Sequence, residues 1–340
     1  MDFSSDTSAP AHPAVLQALE AANRGNAPSY GGDRLHGDLR RTLAGVFETE
    51  DFDFWLTASG TAANALALSV MCSPTGAVLC HEEAHIARDE RGAPEFFTGG
   101  AKLQLLPGFG AQVEEMALRE ALAAIDRDFV HETPAETLSL THLTECGTAY
   151  DPARLAHCGA LAGEAGLNVH LDGARLANAL AGANASPAEV SWKAGVDVLT
   201  LGLTKTGAIG CEIIILFGAM RARFGELRAR AKRSGHMPAK MRFLAAQAEA
   251  LLGDGLWLDL AARANSAARQ VSNVLCAEPG VELVYPVDGN EVFVRLPEEM
   301  VSRLKAAGAV FYPWPGGCQR LVCAWTTGEA EIGALRAALS

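Results

Sequence analysis

From residue 50 to residue 217 the chain repeats one unit: a short run that is apolar along nearly its whole length, then a segment with helical spacing. The strand-like runs are FDFWLTA, GAVLC (76–80), KLQLLP (102–107), TLSLTH (137–142), NVHLD (168–172), DVLTLGLT (197–204) and EIIILF (212–217). Between them lie SGTAANALALSVM, EEMALREALAAIDRD and PARLAHCGALAGEAG, whose small and apolar residues recur at three and four positions. Strands without a polar face must be covered on both sides. The alternation therefore predicts an α/β fold with a mainly parallel, helix-covered central sheet. In such sheets ligands gather at the carboxyl ends of the strands.

After residue 217 the pattern changes. MRARFGELRARAKRSG is basic and helical, and a long helical stretch follows, broken near Gly253–Gly255. ELVYP, EVFVRLP, GAVFYPWP and RLVCAWTT then suggest a small C-terminal α+β unit. The expected organisation is an N-terminal arm and helix over 1–35, a large domain over 36–235 and a small domain over 236–340. With 340 residues, 49% of them apolar, the chain can bury cores of that size.

Composition removes several function classes. A net charge of −12 opposes a nucleic-acid footprint, which needs a basic face. No apolar run approaches the ~18 residues of a membrane span. MDFSSDTSAP has neither the basic nor the apolar region of a secretory signal. Eight cysteines stand singly, several inside strand-like runs, as buried thiols do in a reduced compartment. The expectation is a soluble, cytoplasmic protein. The histidines form no HExxH, and no Cys/His quartet has ligand spacing, so no metal is expected.

Three features carry chemistry. Of six lysines, Lys205 alone lies between two apolar runs, in VDVLTLGLTKTGAIGCEIIILF. Desolvation lowers an amine's pKa, as a Schiff-base lysine requires; a strand-end lysine that snorkels to solvent fits the spacing equally well. Asp172 ends the strand NVHLD and precedes a glycine, where it either faces a ligand or caps the helix ARLANAL. Arg175, three positions on, can bind a carboxylate bidentately or form an ion pair at the surface. TASGTAAN runs from a strand end into a helix, so Ser59, Gly60 and Thr61 present hydroxyls and N–H groups to an anion, or merely cap the helix. Together, an anion-type helix start, a strand-end acid and a lysine 33 residues later suit the large domain of a fold-type I pyridoxal phosphate (PLP) enzyme.

At this point the chain resembles a known family, the low-specificity L-threonine aldolases of the aromatic amino-acid β-eliminating lyase group. FSSDT (3–7), SYGGD (29–33), ASGTAAN, EEAHIARDERGAPEFFTGGAKL, HLDGARLANA, TLGLTKTGAIG and QRLVCAWTT match its blocks in order from end to end. The resemblance implies PLP as cofactor, bound as a Schiff base to Lys205. It further implies Asp172 on the pyridine nitrogen, His85 stacked on the ring, and Ser59, Gly60 and Thr61 at the phosphate. Arg175 and Arg320 would clamp the substrate carboxylate, with Ser5 in support. Tyr30 would reach the site from a neighbouring subunit of a homo-oligomer, a dimer or tetramer.

Two segments depart from the family pattern. The phosphate-binding arginine falls in KRSGHMPAKMRF, where Arg242 corresponds best and Arg233 competes. The histidine near the substrate hydroxyl falls in LTHLTECGT, where His142 is the candidate, and a shift of two or three residues substitutes Thr144 or Glu145. The implied reaction is aldol cleavage of L-threonine, L-allo-threonine and related β-hydroxy-α-amino acids to glycine and an aldehyde. The rival readings are β-elimination or transamination on the same scaffold, and a non-catalytic PLP-binding protein.

Overall fold

Strands with no polar face pair edge to edge into one sheet and are covered by helices. In the computed structural model, which describes residues 1–183 and 185–340, the strands are Phe52–Thr57 (β1), Ala77–His81 (β2), Lys102–Leu106 (β3), Ala135–Thr141 (β4), Asn168–Gly173 (β5), Val198–Gly202 (β6) and Glu212–Phe217 (β7). Their order is β1-β7-β6-β5-β4-β2-β3. The pairings β2–β3, β2–β4, β4–β5 and β5–β6 are parallel. β7 runs antiparallel to both β1 and β6. Its connection from β6 spans only residues 203–211, too short for a crossover helix, so the chain must turn back on itself. One consequence matters for chemistry. The start of β7, at Glu212, lies at the same sheet edge as the carboxyl ends of the other strands.

Helix Gly60–Met71 is buried at every position from Ala62 to Met71, as its small, all-round apolar sequence demands. It packs across β5, β6 and β7 and starts at the sheet edge that carries Asp172. The main hydrophobic cluster extends through Met241, Leu251 and Ala261. Helix Leu256–Cys276 then carries the chain into a second cluster, joined from Ala267 onward. That cluster lies under an antiparallel sheet of Glu282–Leu283 (β8), Glu291–Arg295 (β9), Tyr312–Trp314 (β10) and Cys318–Val322 (β11), ordered β10-β11-β9-β8.

The N-terminus is woven into this second sheet. Phe3 N donates to Val310 O (2.8 Å), Val322 N donates to Phe3 O (2.8 Å), and the Phe3 side chain is fully buried in the second cluster. This pairing carries residues 5–7 to the edge of the large sheet. Among the described residues no helix is long and apolar enough to cross a membrane. Cys276 is exposed and the other seven cysteines are buried and free.

Gly202 fixes how closely β6 approaches the segment after β5. A Cβ there would stand 2.6 Å from Ala174 O and 2.7 Å from its Cα, both backbone atoms with no freedom to yield. G202A is therefore expected to force the β5 and β6 ends apart at a cost of about 1–3 kcal/mol, read as a lowered Tm. An unchanged Tm would show that the contact yields.

Candidate active site

The carboxyl ends of β1, β4, β5 and β6 enclose a cavity of about 260 Å³. Each strand end brings one part of its wall. After β1, Ser59 caps helix Gly60–Met71, its side chain accepting from Ala62 N at 3.2 Å. Ser59, Gly60 and Thr61 line the cavity beside the positive end of that helix, where an anion is stabilised. β4 ends in Thr141, and the turn after it brings Leu143 and Glu145. β5 brings Asp172, with Arg175 just beyond it. The turn after β6 brings Thr204 and Lys205, and β7 brings Glu212.

Asp172 is held on both oxygens. Asn64 Nδ2 donates to Oδ2 (2.8 Å) and Ala174 N donates to Oδ1 (2.9 Å). Asn64 also donates to Glu90 Oε1 (2.8 Å) and accepts from Thr200 Oγ1 (2.7 Å). Glu90 Oε1 meets His85 Nδ1 at 2.8 Å, a contact that raises the imidazole pKa and favours its charged form. A buried polar chain thus runs from the His85 ring to the Asp172 carboxylate. Because strand side chains alternate with period two, His170 lies on the same face of β5 as Asp172. Burial pushes its pKa down to about 4, and its Nδ1 meets Ser139 Oγ at 2.9 Å.

Lys205 sits in the turn Thr204–Thr206, which Glu212 pins from the neighbouring strand. Glu212 Oε2 accepts from Leu203 N (3.1 Å), and Oε1 accepts from the Thr204 hydroxyl. Burial lowers the Lys205 pKa most, and the Arg175 charge lowers it further. Both effects favour the neutral, nucleophilic amine. Burial also raises the Glu212 carboxyl to about 7.

Arg175 is buried and already engaged. Its Nε and Nη2 donate to Asp6 at 2.7 and 3.1 Å, and Nη1 lies 3.5 Å from Glu291 Oε2. Burial opposes the Asp6 charge, but Arg175 and Lys205 outweigh it and hold the carboxyl well below its ordinary range. Glu291 in turn accepts from Arg320 Nε and Nη2 at 2.9 and 2.7 Å.

The sequence profile of the beta-eliminating lyases matches residues 2–299. The chain belongs to the beta-eliminating lyase family. It is 39% identical over 336 residues to the low specificity L-threonine aldolase of Pseudomonas sp. (strain NCIMB 10558), covering 98% of this chain and 96% of that protein. It is 40% identical over 326 residues to the Pseudomonas aeruginosa low specificity L-threonine aldolase, covering 96% and 93%. The fold matches the Leishmania major threonine aldolase structure with a TM-score of 0.91 at 28% identity, over 99% of this chain and 98% of that one. The mostly parallel sheet with its small antiparallel C-terminal partner is thus the fold-type I architecture.

In this beta-eliminating lyase the cavity brings together Ser59, Gly60, Thr61, His85, Asp172, Arg175 and Lys205. Several other expected residues lie outside its wall. Ser5 accepts from Thr7 N (3.1 Å), and it is Thr7 that lines the cavity. Arg320 is held off by Glu291 and stacks over Trp314, its Cζ 5.6 Å from the ring centroid. Tyr30 is exposed, beneath the Lys232 ammonium at 4.8 Å. Arg242 donates to Gly25 O (3.1 Å) and lines a separate cavity between the N-terminal helices and helix Arg242–Leu252. Arg233 ends helix Phe224–Arg233, also outside the Lys205 cavity.

His142 requires a correction. Its side chain turns into the core, 1% exposed, where burial lowers its pKa to about 4 and Nδ1 accepts from Tyr150 N (3.4 Å). Of the alternatives in that segment, Glu145 is the one on the cavity wall. Sequence reasoning passed over Asn64, Glu90, Asp6 and Glu291. Asn64 was visible as the last letter of SGTAAN, one helical turn past Gly60 on the same helix face. Asp6 and Glu291 reach Arg175 only through the folded chain.

Proposed function

We propose that this chain cleaves L-threonine, L-allo-threonine and related β-hydroxy-α-amino acids to glycine and an aldehyde, with PLP as its cofactor. The observation that carries the reading is the convergence of the Ser59–Thr61 helix start, Asp172 and Lys205 on one cavity. It is supported by near-full-length similarity to two proteins named as low specificity L-threonine aldolases.

The donor set suits this cofactor. Ser59, Gly60 and Thr61 would hold the phosphate at the helix N-terminus. Asp172, anchored by Asn64 and Ala174, would pair with the protonated pyridine nitrogen. His85 would cover a ring face, and Lys205 would form the Schiff base. When bound, PLP supplies an electron sink conjugated to the substrate's Cα. Arg175 orients the substrate through its carboxylate. Asp6 and Glu291 hold that guanidinium in place, and Arg320 steadies Glu291. Tyr30 would complete a neighbouring site in a homo-oligomer. Eight unpaired thiols suit the reduced cytoplasm.

Purified holoprotein given L-threonine is expected to release glycine and acetaldehyde in equal amounts. Pyruvate or ammonia from another amino acid, with no acetaldehyde, would replace this reading by β-elimination.

A further inference from the structure

The aldol reading needs a group that takes the proton from the substrate's β-hydroxyl, and the cavity narrows the choice. Asp172 has both oxygens occupied, by Asn64 and Ala174. Glu212 has both occupied, by Leu203 N and the Thr204 hydroxyl. His85 has its Nδ1 engaged by Glu90, and its ring is the group that would cover a face of the cofactor. His142 faces the core, and the Thr144 hydroxyl donates to Gly110 O at 2.8 Å. Glu145 differs. Its Oε1 accepts from His85 N (2.7 Å) and from the Thr141 hydroxyl (2.9 Å), which fixes the carboxyl at the wall. Its Oε2 is buried and has no hydrogen-bond partner among the described residues, which leaves it the oxygen free to accept.

We infer that Glu145 is the catalytic base for the β-hydroxyl, an assignment that rests on the aldol reading above. Oε2 takes the hydroxyl proton as the Cα–Cβ bond breaks. The hydroxyl oxygen becomes the aldehyde carbonyl, and the bonding electron pair is left at the glycine carbon, where PLP would supply the electron sink. A solvent-derived proton then closes the valence at Cα, and Glu145 returns its own proton to water. Atoms and charge balance as amino acid to glycine plus aldehyde.

The electrostatics agree. Burial raises the Glu145 pKa to about 7, and the Asp172 charge adds to the rise. His85 N and Thr141 oppose it from two sides. Arg175, Cys80, Cys146 and Tyr150 also face this carboxyl. A base poised near the working pH is the efficient one.

E145Q keeps an acceptor for His85 N and Thr141 but cannot take the proton. Threonine cleavage by the E145Q holoenzyme is expected to fall by at least about 100-fold in kcat, with partial recovery in E145D. Exchange of glycine's α-hydrogen in D₂O needs no hydroxyl base and is expected to continue at close to the wild-type rate. In the infrared spectrum, a carboxylic acid band that titrates near pH 7 in the wild type is expected to be missing from E145Q; the Glu212 band remains. Equal cleavage by wild type and E145Q overturns the role of Glu145 alone. So does parallel loss of cleavage and glycine exchange, which would mark a merely structural part. A wild type that exchanges glycine's α-hydrogen yet releases no aldehyde overturns the aldol reading and this assignment with it.

Discussion

K205A is expected to lose the visible Schiff-base absorbance, to retain no cofactor after borohydride reduction, and to cleave threonine about 10³-fold more slowly than the wild type. The turn that carries Lys205 does not depend on its side chain. Thr206 Oγ1 donates to Leu203 O (3.2 Å), Ala208 N donates to the same oxygen (3.1 Å), and Glu212 holds Leu203 N. The backbone should therefore keep its course when the amine is removed. Burial is the largest cause of the lowered Lys205 pKa, so the wild-type ammonium is itself costly. The cofactor-free forms are the right comparison, because a bound cofactor raises Tm by mass action. Among these, K205A is expected to melt no lower than the wild type. K205R provides the control: its guanidinium stays charged and offers no nucleophilic amine, so it is expected to be equally inactive. A K205A protein that keeps the visible band and the borohydride-fixed cofactor would show that another amine carries the Schiff base.

The residues that the sequence exposed lie at strand ends. Asp172, Lys205 and the Ser59–Thr61 helix start each follow a largely apolar run, and a parallel sheet must bring such ends to one edge. What periodicity cannot give is facing within an irregular turn. His142 and Glu145 are three residues apart after β4, and only the folded turn sends one to the core and the other to the cavity. Nor does a local pattern show pairings across the chain. Arg175 read as a carboxylate clamp or a surface ion pair, yet its guanidinium is buried and shared between Asp6 of the N-terminal arm and Glu291 of β9. Asp6 arrives because residues 2–3 pair with Val310 and Val322, and Glu291 because β9 pairs with β11. The reversed direction of β7 follows from a short connection rather than from composition, and it puts Glu212 under the Lys205 turn. Tyr30 and Arg242 belong to surfaces that a single chain leaves apart from the cavity.

D172N separates cofactor attachment from cofactor electronics. The variant keeps Lys205, so the visible Schiff-base band is expected to remain. Threonine cleavage is expected to fall by about 10²–10³-fold, because the ring nitrogen loses the charge that keeps it protonated. The amide also disturbs its neighbours. Asn64 Nδ2 now meets either a second donor or a weaker acceptor, and rotating Asn64 to suit would break its bonds to Glu90 and Thr200. The pH profile supplies a sign that general damage would not reproduce. The Asp172 charge raises the pKa of Glu145 and also that of His85. Removing it lowers both. Cleavage needs Glu145 ionised, so activity climbs as pH rises through its pKa of about 7. In D172N that rising limb is expected to move to lower pH, on whatever activity remains. Measuring kcat for threonine cleavage against pH in the two proteins decides it. A limb that stays in place would separate Glu145 from Asp172, and a limb that moves upward would contradict the arrangement of charges in the cavity.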